Sequence, residues 1–319
     1  MDLSNSKIET QEREFKGTTS WLDSVFVLRP TLIFPLITMT LAGLKLADQT
    51  VRLSADKWLF ITISLCSLFG LVYLLNQLKD KDTDGLNGKL YFIPNGILSR
   101  RHIRLEAIVL GAIIPLCLIL AGVPYLIGWV LLMFVVAGVL YNFTPVALQQ
   151  SPSGSILAGA IGGWMLIHMG GLMSHQALSV VKELPYVLAF TAACMLTTLP
   201  DIQGDFAVGK RTVAVVFGTK KTAVIAMILI LTSLVWGILL ADWVIVIPAG
   251  ITFPILTIGI LRNDVRIMIM ANKAAILSLS LAVGFYYPIY LVAIGLYFPF
   301  ARWYYWKRFK IRYPSFSIG

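Results

Sequence analysis

The sequence predicts an all-α protein that crosses a membrane about nine times, and three features lead to that expectation. Of its 319 residues 58% are hydrophobic and 13% charged, with a mean hydropathy of +0.81, far outside the range of water-soluble domains. The apolar residues gather into runs of about 17 to 25, the length that crosses a hydrocarbon core as a helix. Lysine and arginine fall mostly in the loops between those runs, as they do beside an anionic leaflet.

The first twenty residues are polar and mixed in charge. They lack the basic start and short apolar core of a cleaved signal peptide, so the first membrane helix is expected to serve as the insertion signal. Spanning helices are expected over 25–47, 58–77, 104–122, 124–143, 155–174, 184–200, 221–241, 243–261 and 274–300. The pairs meeting near Val123 and Asp242 have almost no loop, so each also reads as one bent helix. If the N-terminus is cytoplasmic, the same side receives Lys7, Arg13 and Lys16, the loop from Lys79 to Arg104, the loop from Lys210 to Lys221, and the loop from Arg262 to Lys273. That is the positive-inside pattern. Nine spans leave the basic tail (Arg302, Lys307, Arg308, Lys310 and Arg312) on the other side. Either the count is even or the tail is a C-terminal exception, and the exception is the reading taken.

The chain then divides into a polar cytoplasmic segment 1–20, a transmembrane domain 21–301 and a basic tail 302–319, in the cell (inner) membrane. Its net charge of +10 is a loop property here and does not imply nucleic acid. Cys66, Cys117 and Cys194 all lie within apolar runs, without the spacing of a disulfide framework or a metal site. They read as packing residues.

Two acidic stretches stand where apolar runs give way to loops. In the first, Asn76, Asp80 and Asp84 recur every four residues; in the second, Asp201 and Asp205 repeat that spacing. On a helix such residues share one face. Clustered carboxylates raise one another's pKa unless a cation sits among them. Oxygen donors with no histidine or cysteine nearby suit a hard ion such as Mg2+, which shares a few carboxylates with substrate phosphates. The plain alternative is a solvated helix end neutralised by Lys79 and Lys81; two clusters on the same expected side favour the site. Asp82, two residues from Asp80, points away to solvent. One acidic stretch in each half suggests an approximate duplication.

Around these stretches further candidates appear. Gly204 and Gly209 with Lys210 and Arg211 could hold a phosphate, or the two cations could be topology signals. Arg29, within the start of the first helix, either snorkels to the interface or faces the polar site. Glycines 159, 162, 163, 170 and 171 read as close helix packing, and His168 as a hydrogen-bonded interior residue.

Taken together these residues resemble the UbiA superfamily of intramembrane prenyltransferases. Asn76, Asp80 and Asp84 meet its first motif, Asn-x-x-x-Asp-x-x-x-Asp; Asp201 and Asp205, followed by Gly209-Lys210-Arg211-Thr212 and Phe217-Gly218, meet the second. Also similar are Arg29-Pro30, Asn87, Gly96, Ser99, Tyr141, Pro145, and Arg308-Phe309 through Tyr313-Pro314, so the likeness covers nearly the whole chain. Two departures stand out. Tyr91-Phe92 and Ala147-Leu148-Gln149 occupy positions where members commonly place Arg-Pro and Arg-Leu-Lys, cations around the donor phosphate.

The resemblance implies a helical bundle with a central cavity open to cytoplasm and lipid. It implies Mg2+ held by Asn76, Asp80, Asp84, Asp201 and Asp205, which are also the expected catalytic residues. The partners implied are a prenyl diphosphate donor and a small aromatic or lipid-like acceptor, inside the lipid bilayer. Arg29, Tyr141, Lys210 and Arg211 are the expected substrate-binding residues, and Tyr73, Tyr141 and Phe143 candidate shelters for a carbocation. The wording from Pro200 to Asp205 is closer to the homogentisate, chlorophyll and geranylgeranylglyceryl phosphate branches than to the 4-hydroxybenzoate branch. Two alternatives stay open: a diverged enzyme with another phosphate donor or acceptor, and a transporter using buried carboxylates, which would place its acids nearer mid-membrane.

Overall fold

The computed structural model of the chain describes residues 20–47, 54–80, 92–93 and 96–314, and among these every regular element is a helix. A short α1 (Trp21–Phe26) starts at Ser20, whose hydroxyl accepts the Leu22 N–H while the Asp23 carboxylate accepts the Ser20 N–H. Arg29 then takes a left-handed backbone (φ 54°), and Pro30 opens α2 (Pro30–Leu46), where its missing N–H costs nothing. There follow α3 (Ala55–Lys79), α4 (Arg100–Leu120) and α5 (Leu126–Leu140), π-helical from Phe134 onward. The chain continues with α6 (Pro152–Met173), α7 (Val180–Leu196), the short α8 (Ile202–Ala207) and α9 (Val213–Leu239). The last three are α10 (Trp243–Arg262), α11 (Val265–Tyr286) and α12 (Pro288–Phe309).

Seven helices are long and apolar enough to cross a membrane, and α2 and α5 are shorter apolar ones. With the 22-residue α12 they make ten membrane-scale helices among the described residues. The expected pairs near Val123 and Asp242 are each two helices, not one bent one. The ninth expected run, 274–300, also falls on two helices, which part between Tyr286 and Pro288. Apolar character continues across that break, so hydropathy alone does not mark it; proline, which cannot donate the helical hydrogen bond, does.

The tail beginning at residue 302 is the end of α12, and its side follows from contacts. Tyr290, Tyr297 and Tyr304, seven residues apart on α12, hydrogen-bond Thr38, Thr31 and Asp23 in turn. Thus α12 runs antiparallel to α1 and the first half of α2, from Asp23 to Thr38. Arg308 donates to Asp23 at 2.9 Å, and Gln77 of α3 donates to the Val27 carbonyl at 2.7 Å. The basic end of α12 and the acidic end of α3 therefore share one rim. The opposite rim carries Asp242, which accepts from Tyr186 at 2.6 Å and pairs with Lys45 at 3.6 Å.

Glycine sets the tightest contact. A Cβ on Gly43 of α2 would lie 1.8 Å from the Ile167 carbonyl oxygen, and one on Gly170 of α6 2.1 Å from that of Thr40. Only bare backbones pack that closely. Gly159 and Gly163 similarly face Cys194 and Phe190 of α7. His168 is a satisfied interior histidine: its Nδ1 lies 2.6 Å from Glu183, which also accepts from Trp164 at 3.0 Å. One apolar core joins α2 to α6, a second joins α7 to α11, and a third binds α12 to α1. The acidic stretches follow α3 in the first core and α7 in the second.

Candidate active site at one rim of the bundle

Asn76 stands on the last turn of α3, and Asp80 is the residue at which that helix ends. The Asn76 amide donates to the Asp80 carboxylate at 3.1 Å and to Asn142 Oδ1 at 2.9 Å. Asn142 is fully buried just beyond α5 and donates back to the Ala137 and Gly138 carbonyls, the acceptors that the π-helical turn leaves open. The expected spacing of four thus holds from Asn76 to Asp80. Asp84 and Asp82 lie outside the described residues.

The second stretch is built by a change of helix. After α7 a single 3-10 turn (Leu199–Asp201) leads into α8, with Asp201 at its N-terminal boundary and Asp205 one turn on. Gly209, at φ 74°, lets the chain double back, so that the Lys210 N–H bonds the Asp205 carbonyl at 2.9 Å. Asp205 accepts from the Thr212 hydroxyl at 3.2 Å. The Lys210 ammonium then reaches across to Asp80 Oδ1 at 2.8 Å. Gln149, in the 3-10 turn Leu148–Gln150, donates to the same oxygen at 3.4 Å. Asp80 is 8% exposed and Asp205 6%, so both carboxylates are withdrawn from water and Lys210 answers the charge of the first.

Tyr141, one residue past α5, is the common neighbour. Desolvation first, then Cys194, Asp80, Asp205 and Asp201, push its hydroxyl well above the ordinary phenol range. All three carboxylates therefore act on one ring, across more than a hundred residues of sequence. Tyr141 and Cys194 are also within electrostatic range of Tyr73, as are Arg29 and Tyr313. Tyr73 donates to the Leu32 carbonyl at 3.2 Å, and Tyr313 lies beside Thr31 and Arg29. Arg29 faces this polar track. Its left-handed backbone is a strained state for a non-glycine residue, of a kind that gathers at functional sites.

Of the expected site residues, Asn76, Asp80, Asp201, Asp205, Lys210, Tyr141 and Arg29 gather at this rim, with Tyr73. Arg211 and Phe143 are exposed. Asn142, Thr212 and Tyr313 were not singled out for roles in the sequence. A buried amide at the end of an apolar run was the available sign for Asn142. Gln149 was visible only as a departure, and here it reaches Asp80 with a neutral amide. Phe92 packs edge-on against Phe309 of α12, 5.2 Å between ring centres.

Among the described residues no three histidine, cysteine, aspartate or glutamate side chains gather closely enough for a metal centre. The donors at the rim nevertheless suit a hard cation. They are oxygens, two of the carboxylates are buried, and a protein ammonium already sits on one of them.

The model of the UbiA prenyltransferase family matches residues 36–267. No curated protein matches the chain. Among solved structures, a UbiA homolog from Archaeoglobus fulgidus bound to GPP and Mg2+ is similar at TM-score 0.64 and 17% identity, over 82% of this chain and 98% of that one. The same homolog bound to DMAPP and Mg2+ gives 0.62 and 14%, over 82% and 99%. A digeranylgeranylglyceryl phosphate synthase gives 0.58 and 13%, over 82% and 98%. At these identities the likeness is one of fold.

Proposed function

The chain belongs to the UbiA prenyltransferase family, and on that footing we propose that it transfers a prenyl group from an isoprenoid diphosphate to an aromatic or other lipid-precursor acceptor within the membrane. The observation that carries this reading is the 2.8 Å pairing of Lys210 with Asp80, which joins the two acidic stretches at one point. Asn76, Asp80, Asp84, Asp201 and Asp205 would hold Mg2+, which the Archaeoglobus homolog binds together with GPP. When bound, Mg2+ supplies positive charge against the diphosphate as it departs.

The chain's own residues do the rest. Lys210 exchanges its carboxylate partner for phosphate oxygens, and Thr212 keeps Asp205 oriented. As the allylic C–O bond breaks, its electron pair leaves with the diphosphate, and the faces of Tyr73 and Tyr141 lie beside the positive charge on the prenyl carbon. The Tyr141 hydroxyl, kept protonated by burial first and then by the carboxylates around it, remains a donor. Arg29 orients an anionic acceptor, whose nucleophilic atom forms the new bond and then loses its proton to the released diphosphate.

Purified protein with Mg2+, a prenyl diphosphate and a panel of acceptors should release pyrophosphate. Asp80→Ala or Asp201→Ala should each lower that release at least about 100-fold; release unaffected by both would rule the reading out. The neutral amide of Gln149 on Asp80, at a position where a cation was expected, favours one variant: a diverged enzyme with a different phosphate donor. Tight binding of a non-prenyl phosphate ester, with none of prenyl diphosphates, would select it. The acids lie at helix ends on the rim, which disfavours a transporter.

A further inference from the structure

The family match ends at residue 267, before α12 begins. One face of α12 is used inwardly by Tyr290, Ala301, Tyr304 and Tyr305, all buried. A second face is exposed and apolar through Ile289, Val292, Leu296 and Phe300, which rises about 17 Å along the axis. At Arg302 and Trp303 its chemistry changes.

There a groove of about 350 Å³ is lined by Pro299, Arg302, Trp303, Trp306 and Arg312. Lys307 lies 5.1 Å over the Trp303 ring and Arg312 6.0 Å over the Trp306 ring. No carboxylate lines the groove, and among the described residues neither Arg302 nor Arg312 has an acidic partner. The contrast with Arg308 one helix face away is informative, because that guanidinium is spent on Asp23. The apolar stripe thus ends in a mixed patch, with the unneutralised Arg302 beside Trp303 and Trp306 and Arg312 beyond them, the aromatic and cationic groups that meet lipid headgroups at an interface.

We propose that this groove is a binding site for the headgroup of an anionic phospholipid. Arg302 and Arg312 take the phosphate, for which the guanidinium fork is suited. Trp303 and Trp306 lie at the glycerol level, and the acyl chain runs down the exposed stripe toward Ile289. A lipid held there pins α12, and with it α1, at the rim that carries the acidic site.

The test uses the full-length protein in nanodiscs of phosphatidylcholine with a minority of phosphatidylglycerol, released and weighed by native mass spectrometry. The wild-type protein should retain phosphatidylglycerol in preference to phosphatidylcholine. The double variant Arg302→Gln, Arg312→Gln should retain it about thirty-fold less well, the loss expected for two basic side chains beside anionic lipid. Lys310→Gln removes an exposed cation at the same end but outside the groove, and should leave retention unchanged. Retention that survives the double variant, or falls equally with Lys310→Gln, overturns the proposal. So does displacement of the phosphatidylglycerol by geranyl diphosphate in an Asp80→Asn, Asp205→Asn background, because the groove would then be a donor site.

Discussion

Lys210 and Gln149 both end on Asp80 Oδ1, and neither partnership follows from spacing. Helical periodicity relates residues one or two turns apart, which is how Asn76 was matched to Asp80 and Asp201 to Asp205. It says nothing about an ion pair that closes a loop of more than a hundred residues. The pair is nearly dry, and removing one partner of such a pair strands the other. Lys210→Ala should therefore cost the metal-free protein about 3 kcal/mol, and Mg2+ should return much of it by answering the same carboxylate. Thermal unfolding in detergent with EDTA and with Mg2+ measures both; an equal loss in the two would sink the idea that ammonium and metal compete for Asp80. Asp84 lies outside the described residues, and its part in the site stays a proposal.

Helix contacts carry the next scale. The glycines of the fifth apolar run were legible as packing residues, since small side chains in lipid-embedded helices have few other uses; which helices they bring together was not. Gly170→Ala would drive a methyl into the Thr40 carbonyl and should cost about 1–3 kcal/mol. Gly295→Ala on α12, where nothing lies within 4 Å, should cost nothing, and the difference in melting temperature between the two checks the assignment. The attachment of α12 was not legible at all. It rests on three tyrosines at heptad spacing and on Asp23, fully buried, which accepts from Tyr304 and Arg308. Asp23→Asn leaves the Arg308 charge uncompensated at a cost of about 3 kcal/mol. Limited proteolysis should then cut α12 faster than α11, whereas unchanged protection would show that the apolar contact alone holds it. Phe92, read as a lost cation, instead packs on Phe309 of this helix.

At the scale of the molecule, the conflict over the basic tail disappears. A tenth membrane-scale helix returns the chain to the rim that carries the acidic stretches, so the charge rule needs no exception. In a background without Cys66, Cys117 and Cys194, cysteines placed at Val208 and Lys310 should react with an impermeant maleimide from the same side of sealed vesicles. A cysteine at Ala241, beside the Asp242 rim, should react only from the other. Labelling of positions 208 and 310 from opposite sides would return the count to nine.

The amino-acid sequence by itself determined that the protein is helical and membrane-embedded, and it set paired acids where two apolar runs end. Those properties are local: hydropathy over one span, charge beside it, and side chains within a turn of one another. The tertiary structure alone decided which cation and which amide meet Asp80, that both acidic stretches lie around Tyr141, and that the last apolar run is two helices, the second held against α1 and α2. Those are contacts between distant segments, made by backbones that glycine lets approach and by buried polar groups that must find a partner wherever the fold offers one.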